Sequence, residues 1–320
     1  MFAGYDIIGD VHGCLEPLEA LLQKLGYQKQ GGVYQYTDQR HPRQVVFLGD
    51  VLDRGPAIRE SVDLIRSMID KGSAVMIMGN HEYHALGYFT PAPAGTGRNY
   101  LREHTPRNTV TIQETLDQYA NHPLDWKETL NWVRQLPVYS EFEHFRVVHA
   151  CWDLNLIDQY KLQYDSAVID EEFLYQSADY KQFAGRFMSR LTQGAGLMLP
   201  GHRVMLGSHG FERRSFRAKF WVKAPQTYRD VEFQPDRLPE EVADCLLSDH
   251  QREHIGYYSE TEKPLFVGHY WMSKQPAVLT SNIACLDYSS KHFNRLVAYR
   301  MGADTRLSNE KFVWVGDFNL

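Results

Sequence analysis

Asp10 and His12, Asp50, Asn80 and His81, His149 and His269 stand at the ends of short aliphatic runs: YDIIGD (5–10), QVVFLGD (44–50), AVMIMGN (74–80), FRVVHA (145–150) and PLFVGH (264–269). Each run reads as a buried strand. Carboxylates, imidazoles and an amide oxygen delivered by five separate strands make a metal-type donor set. In a parallel α/β sheet the carboxyl ends of the strands gather on one edge, where ligand sites form, so side chains distant in sequence converge. Asp10 and His12 are two residues apart, and in an extended segment they would project to the same side and contact one ion. Such donors suit Mn²⁺, Fe or Zn²⁺ better than Ca²⁺ or a thiolate-dependent metal. Asp10, His12, Asp50, Asn80, His149 and His269 are more ligands than one ion needs. Two ions roughly 3.5–4 Å apart, bridged by one Asp, are the arrangement that drives hydrolytic displacement at phosphorus.

The elements between the strands follow the same logic. Leu15, Leu18, Leu22 and Leu25 keep helical spacing and Gly26 supplies a stop; AIRESVDLIRSMIDKG repeats the pattern with Gly72 as its stop. This strand–helix–strand alternation predicts a mostly parallel sheet with helices on its faces. Residues 99–136 read as helix broken by Pro106 and Pro123. Residues 155–262 read as an insertion over the sheet edge, with a strand at 216–222 and a helix start at LPEE. Strands resume at 264–269, 281–289, 295–301 and 311–315, so the two ends of the chain are expected to share one core.

The blocks GDVHG (9–13), GDVLDRGP (49–56), GNHE (79–82), VVHA (147–150) and FVGH (266–269) occur in that order. Together they resemble the signature blocks of the calcineurin-like metallophosphoesterases, in the branch of the bacterial Ser/Thr protein phosphatases and the symmetrical diadenosine tetraphosphate hydrolases. The resemblance implies an α/β fold with a central β-sandwich flanked by helices, in place of the simple parallel sheet. The whole chain, 1–320, would be one such domain with an inserted cap or substrate region at about 155–262. It also implies that Asp10, His12 and Asp50 hold one ion and that Asp50, Asn80, His149 and His269 hold the other, with a shared hydroxide attacking phosphorus. His81 would protonate the leaving oxygen, Asp53 would orient His81 and favour its protonated form, and Arg54 and Asn80 would contact the substrate.

Related phosphatases use a second Arg from the region between the last two His ligands. Within FERRSFRAKFWV (211–222), a strand would put Arg217 and Lys219 on one face and Phe216, Ala218 and Phe220 on the other, against the core. Arg217 is therefore the expected second clamp, against the alternative of solvated arginines on an edge strand. FVGHYW carries aromatic residues where broader members place another His, and CLDYSS (285–290) resembles an LDTG-like closing segment, which makes Asp287 a candidate near the metals. His84, His202 and His209 read as surface or loop histidines, and Cys14 and Cys151 as packing residues.

DRGP and GNHE resemble the phosphatase form of the motifs, whereas HA, GH and LDYS are as close to the dinucleotide-hydrolase form. The leading reading is a phosphatase acting on phosphomonoesters, phosphoserine or phosphothreonine among them, and the alternative is a symmetrical diadenosine tetraphosphate hydrolase, so the expected substrate is a phosphoprotein, a nucleotide or a small phosphoester. A third reading is an inactive metal-binding docking module, which the presence of His81, Asp53 and Arg54 disfavours. Lys and Arg total 34 against 40 Asp and Glu, a formal charge of −6 without long single-sign runs, so non-specific nucleic-acid binding is not expected. The start MFAGYDIIGDVHG lacks a basic, apolar leader and no stretch is long enough to cross a membrane. The four cysteines are scattered, as in a cytoplasmic protein with reduced thiols.

Overall fold

The computed structural model describes residues 2–206, 212–233, 238–288 and 295–316. In the first sheet, the Gly4–Ile8 strand pairs in parallel with Arg43–Phe47, which pairs in parallel with Ala74–Met76. On its other side Gly4–Ile8 runs antiparallel to Arg295–Met301, which in turn pairs with Phe312–Gly316. The N-terminal half therefore forms the expected parallel unit, and the C-terminal end completes the same sheet. The second sheet orders Ile283–Cys285, Leu265–Val267, Arg146–Val148 and Tyr139–Glu141, the last pair antiparallel.

Alternation along the strands shows how the sheets face each other. Ile7, Val46, Val147, Phe266, Ala284, Val297 and Tyr299 share one buried cluster fed by both sheets. Their neighbours Ile8, Val45, Phe47, Val148, Leu265, Val267 and Ala298 turn outward into a second cluster with helix residues such as Leu18, Leu22, Val62 and Ile65. This is a β-sandwich with helices against its outer faces. The mostly parallel single sheet is corrected accordingly: the strand–helix–strand rule holds only for the first three strands, and the remaining chain builds mixed and antiparallel pairs.

The helices Leu15–Leu25 and Ile58–Asp70 lie where their spacing predicts, and Gly26 caps the first in the left-handed region at φ 96°. Pro106 and Pro123 do not interrupt helices. Each occupies the first turn of one, Pro106–Tyr119 and Pro123–Val133, where a missing N–H is harmless and the fixed φ is helical. Within 155–262 lie most of the helix Leu154–Lys161, the helices Glu171–Ser177, Phe183–Gln193 and Asp249–Ile255, a ribbon of Ala195–Met198 with Ser215–Ala218, and short helical turns. The LPEE start opens a helix of one turn only, Glu240–Ala243. Phe216, Ala218 and Phe220 are buried and Arg217 and Lys219 are half-buried, as the alternation predicts.

Candidate metal centre

The site gathers at the carboxyl ends of strands from both sheets. Asp10, His12, Asp50, Asp53, Asn80, His81, His149, His269 and Asp287 are all buried. Among the described residues, six non-glycine positions have positive φ, and five of them are His12, Asp50, Asp53, Arg54 and His269. Strain of this kind persists only where the surroundings over-determine it, and it clusters at functional sites. It also corrects one expectation. The chain at Asp10–His12 is not extended, because His12 has φ 45°; a turn, and not strand alternation, brings the two side chains inward.

Asp50 is the hub. Its Oδ2 lies 3.7 Å from His12 Nε2, 3.8 Å from His81 Nε2 and 3.3 Å from His149 Nε2. Two donor groups share it, His12–Asp50–His81 and Asp50–His149–His269, each with its ligand atoms within 4.8 Å of one another. Asn80 Oδ1 joins the second group, 3.1 Å from His149 Nε2 and 2.6 Å from His269 Nδ1. Asp10 reaches it too, its Oδ2 accepting from the His269 backbone N–H at 3.2 Å. The glycines of two blocks exist for this crowding: a Cβ at Gly79 would come 2.2 Å from Asp50 Oδ1, and one at Gly268 would come 2.1 Å from Asp10 Oδ1.

The remaining contacts aim the ligands. His12 Nδ1 meets Leu52 O at 2.8 Å and His149 Nδ1 meets Leu48 O at 2.7 Å, which turns both Nε2 atoms inward. Glu82, whose role the sequence did not reveal, accepts backbone N–H bonds from Asp50, Val51, Leu52 and Gly79 at 2.7–3.2 Å. One carboxylate thereby clamps two loops, and its place in GNHE was the available signal. His81 Nδ1 lies 2.5 Å from Asp53 Oδ2, and the Thr115 hydroxyl donates to Asp53 Oδ1 at 2.5 Å while accepting the Asp53 N–H at 3.0 Å. Thr115 was not foreseen, because it comes from a helix with no motif of its own.

Arg54 Nη2 stands 3.1 Å from His81 Nε2, and its guanidinium lies over the Trp271 ring at 4.8 Å. Arg217 Nη1 donates to His269 O at 2.9 Å, so its side chain turns to the site. Asp287 is fully buried and is the charge that acts most strongly on Asp10. His84 corrects an expectation: it is no loop residue but lies on the Asn80–Phe89 helix, half-buried, its ring 6.5 Å from that of His81. The helix was not read from the sequence, so the i, i+3 relation to His81 was hidden. His209 lies outside the described residues, as does the side chain of His202. All four cysteines are free, and burial pushes the Cys151 thiol up to about 12.

These residues fit divalent cations. Asp10 Oδ1, His12 Nε2 and His269 Nε2 are buried without a hydrogen-bond partner, and such lone pairs call for a positive partner. The charges tell the same story. Burial, reinforced by Asp287, pushes the Asp10 carboxyl well above its usual range. Burial also opposes Asp50 ionisation, but His149 and His81 outweigh it and hold Asp50 well below. His149 is pushed down by burial and up by Asp50 and Asp10, which win and raise it to about 10. An imidazolium is thus forced to balance clustered carboxylates where a cation would do so.

A sandwich whose two sheets deliver Asp and His donors around one shared carboxylate forms a candidate site for divalent metal. The chain belongs to the calcineurin-like phosphoesterase family, whose profile matches residues 5–180. It is 34% identical over 145 residues to an asymmetrical bis(5'-nucleosyl)-tetraphosphatase of Oceanobacillus iheyensis, covering 45% of this chain and 54% of that protein. It is 44% identical over 146 residues to the Halalkalibacterium halodurans protein of the same name, covering 45% and 54%. The chain spans about half the length of the curated relatives it matches. Among solved structures, a serine/threonine phosphatase from Saccharomyces cerevisiae shares the fold, with a TM-score of 0.51 and 12% identity over 98% of this chain and 79% of that one.

Proposed function

We propose that this chain is a metal-dependent phosphoesterase that hydrolyses phosphomonoesters, phosphoserine and phosphothreonine among them. The observation that carries the reading is Asp50, one buried carboxylate whose Oδ2 lies 3.7 Å from His12 Nε2 and 3.3 Å from His149 Nε2, one histidine of each proposed set. Asp10, His12 and Asp50 would hold one ion; Asp50, Asn80, His149 and His269 would hold the other. Mn²⁺ is the first choice for this donor set, then Fe or Zn²⁺. The ions supply Lewis-acid activation of the attacking water and neutralise phosphoryl charge. Arg54, with its planar fork, Asn80 and Arg217 bind the phosphoryl oxygens. His81 keeps Nδ1 on Asp53 and uses Nε2 to protonate the leaving oxygen. Residues 155–262 are assigned to a cap within a single domain.

A second substrate reading is hydrolysis of dinucleoside tetraphosphates, favoured by the names of the relatives that match 45% of this chain. Those names specify the asymmetrical reaction, not the symmetrical one that the motifs suggested. Free cysteines and the absence, among the described residues, of a helix long and apolar enough to cross a membrane support a cytoplasmic setting. The test is turnover of p-nitrophenyl phosphate. Activity should appear with Mn²⁺, vanish with EDTA and return when Mn²⁺ is restored. No turnover with Mn²⁺, Fe²⁺ or Zn²⁺ would contradict the proposal and favour the docking module.

A further inference from the structure

Each of the two aromatic residues after His269 carries an arginine of the site. The Arg217 guanidinium lies over the Tyr270 ring at 5.6 Å, and that of Arg54 lies over the Trp271 ring at 4.8 Å. Tyr270 is fully buried and packs on Phe220, Trp221 and Phe233, three rings from within 155–262, so its own ring is part of the core. Trp271 is placed differently. It is half-buried, and among the described residues it belongs neither to the two buried clusters nor to the half-buried side chains packed on them. The backbone on either side of it is fixed, the Tyr270 N–H donating to Gly268 O at 2.6 Å and the Met272 N–H to Asp287 O at 2.9 Å. A large ring is thus held beside the site without serving the core, and Arg54 lies across its face.

Arg54 needs such a support. Its backbone is pinned in the left-handed region at φ 71°, but its side chain is exposed, long and rotatable. Among the described residues no carboxylate pairs with it; it meets the Trp271 ring and, 3.1 Å from Nη2, the Nε2 of His81. A carboxylate would orient the guanidinium and also cancel its charge. An aromatic face attracts a cation through its quadrupole and carries no net charge of its own. Resting on the phosphoesterase reading, which makes Arg54 a clamp on the phosphoryl oxygens, we propose that Trp271 is a positioning residue: its ring preorganises the Arg54 guanidinium beside His81 and leaves the positive charge whole for the phosphoryl group. Ordering a long side chain in advance removes that entropic cost from binding.

The test is a double-mutant cycle read by calorimetric binding of inorganic phosphate to the full chain with Mn²⁺, for wild type, Trp271→Leu, Arg54→Ala and the double variant. Trp271→Leu should bind phosphate about 2–5-fold more weakly than wild type, the span of a cation–π contact at an exposed site. In the Arg54→Ala background the same change should have no further effect, because the ring acts through the guanidinium. Trp271→Phe, which keeps a smaller aromatic face, should lose less than Trp271→Leu. Mn²⁺ content should be the same in wild type and both Trp271 variants. Unchanged affinity in Trp271→Leu, a loss that multiplies with that of Arg54→Ala, equal losses in Trp271→Phe and Trp271→Leu, or a lowered Mn²⁺ content would each overturn the positioning role. Turnover of p-nitrophenyl phosphate judges the phosphoesterase reading separately. An inactive wild type whose phosphate loss in Trp271→Leu still runs through Arg54 would sink that reading alone, and an active one with independent losses would sink the positioning role alone. A wild type that binds no phosphate would sink both.

Discussion

His81 is held through Nδ1 by Asp53, and Asp53 is in turn fixed by Thr115. A ring held through Nδ1 presents Nε2 3.8 Å from the shared carboxylate. If that nitrogen delivers the proton, its loss matters in proportion to how poor the leaving group is. General acid catalysis contributes about 10²–10⁴-fold. His81→Asn should therefore slow hydrolysis of an alkyl phosphate by about that factor, slow p-nitrophenyl phosphate less, and leave metal content unchanged. Equal losses on the two substrates would remove His81 from the role of acid.

At the scale of elements, the edge hairpin of Tyr139–Glu141 and Arg146–Val148 is tied by one carboxylate. Glu141 accepts from Arg146 Nε at 2.9 Å and Lys161 Nζ at 3.1 Å, with Lys263 Nζ at 3.4 Å. Burial pushes its carboxyl up, but the bonds from Lys161 and Arg146 outweigh that and hold it at about 2 against an ordinary 4.5. A depressed carboxyl contributes stability above its unfolded value and loses it as pH falls towards the folded one. Glu141→Gln should thus lower the thermal midpoint near neutral pH, with the gap to wild type closing between about pH 4.5 and pH 2. A gap independent of pH would show that the carboxylate charge is not what ties the hairpin.

The strands ending in Asp or His were legible because each couples a compact apolar run to a polar stop, and the helices at 15–25 and 58–70 because their apolar stripe is long enough to show its period. The sandwich was legible only through the family resemblance. Strands of three residues with both faces buried, such as Leu265–Val267 and Ile283–Cys285, carry no alternation that says which sheet they join. The Asn80–Phe89 helix was missed because its residues follow ligands and were read as ligands, which hid His84. Within 155–262 the elements are short, and one-turn helices such as Tyr228–Val231 leave no periodic trace. The half-buried face of Arg217 between buried Phe216 and Ala218 was legible there because strand alternation needs only a few residues to show.

At the scale of the whole molecule, the centre is a property of the sandwich. The first sheet ends in Asp10, Asp50 and Asn80, the second in His149, His269 and Asp287, and the cluster of Ile7, Val46, Val147 and Phe266 between the sheets sets their spacing. Neither sheet alone carries both donor groups, and Asp50 is where they meet. The most direct measurement is metal content, by elemental analysis, alongside turnover for wild type and Asp50→Ala. The account predicts two divalent ions per wild-type chain, and for Asp50→Ala a lower content with turnover abolished. A variant that keeps both the wild-type stoichiometry and its rate would contradict the shared-carboxylate centre.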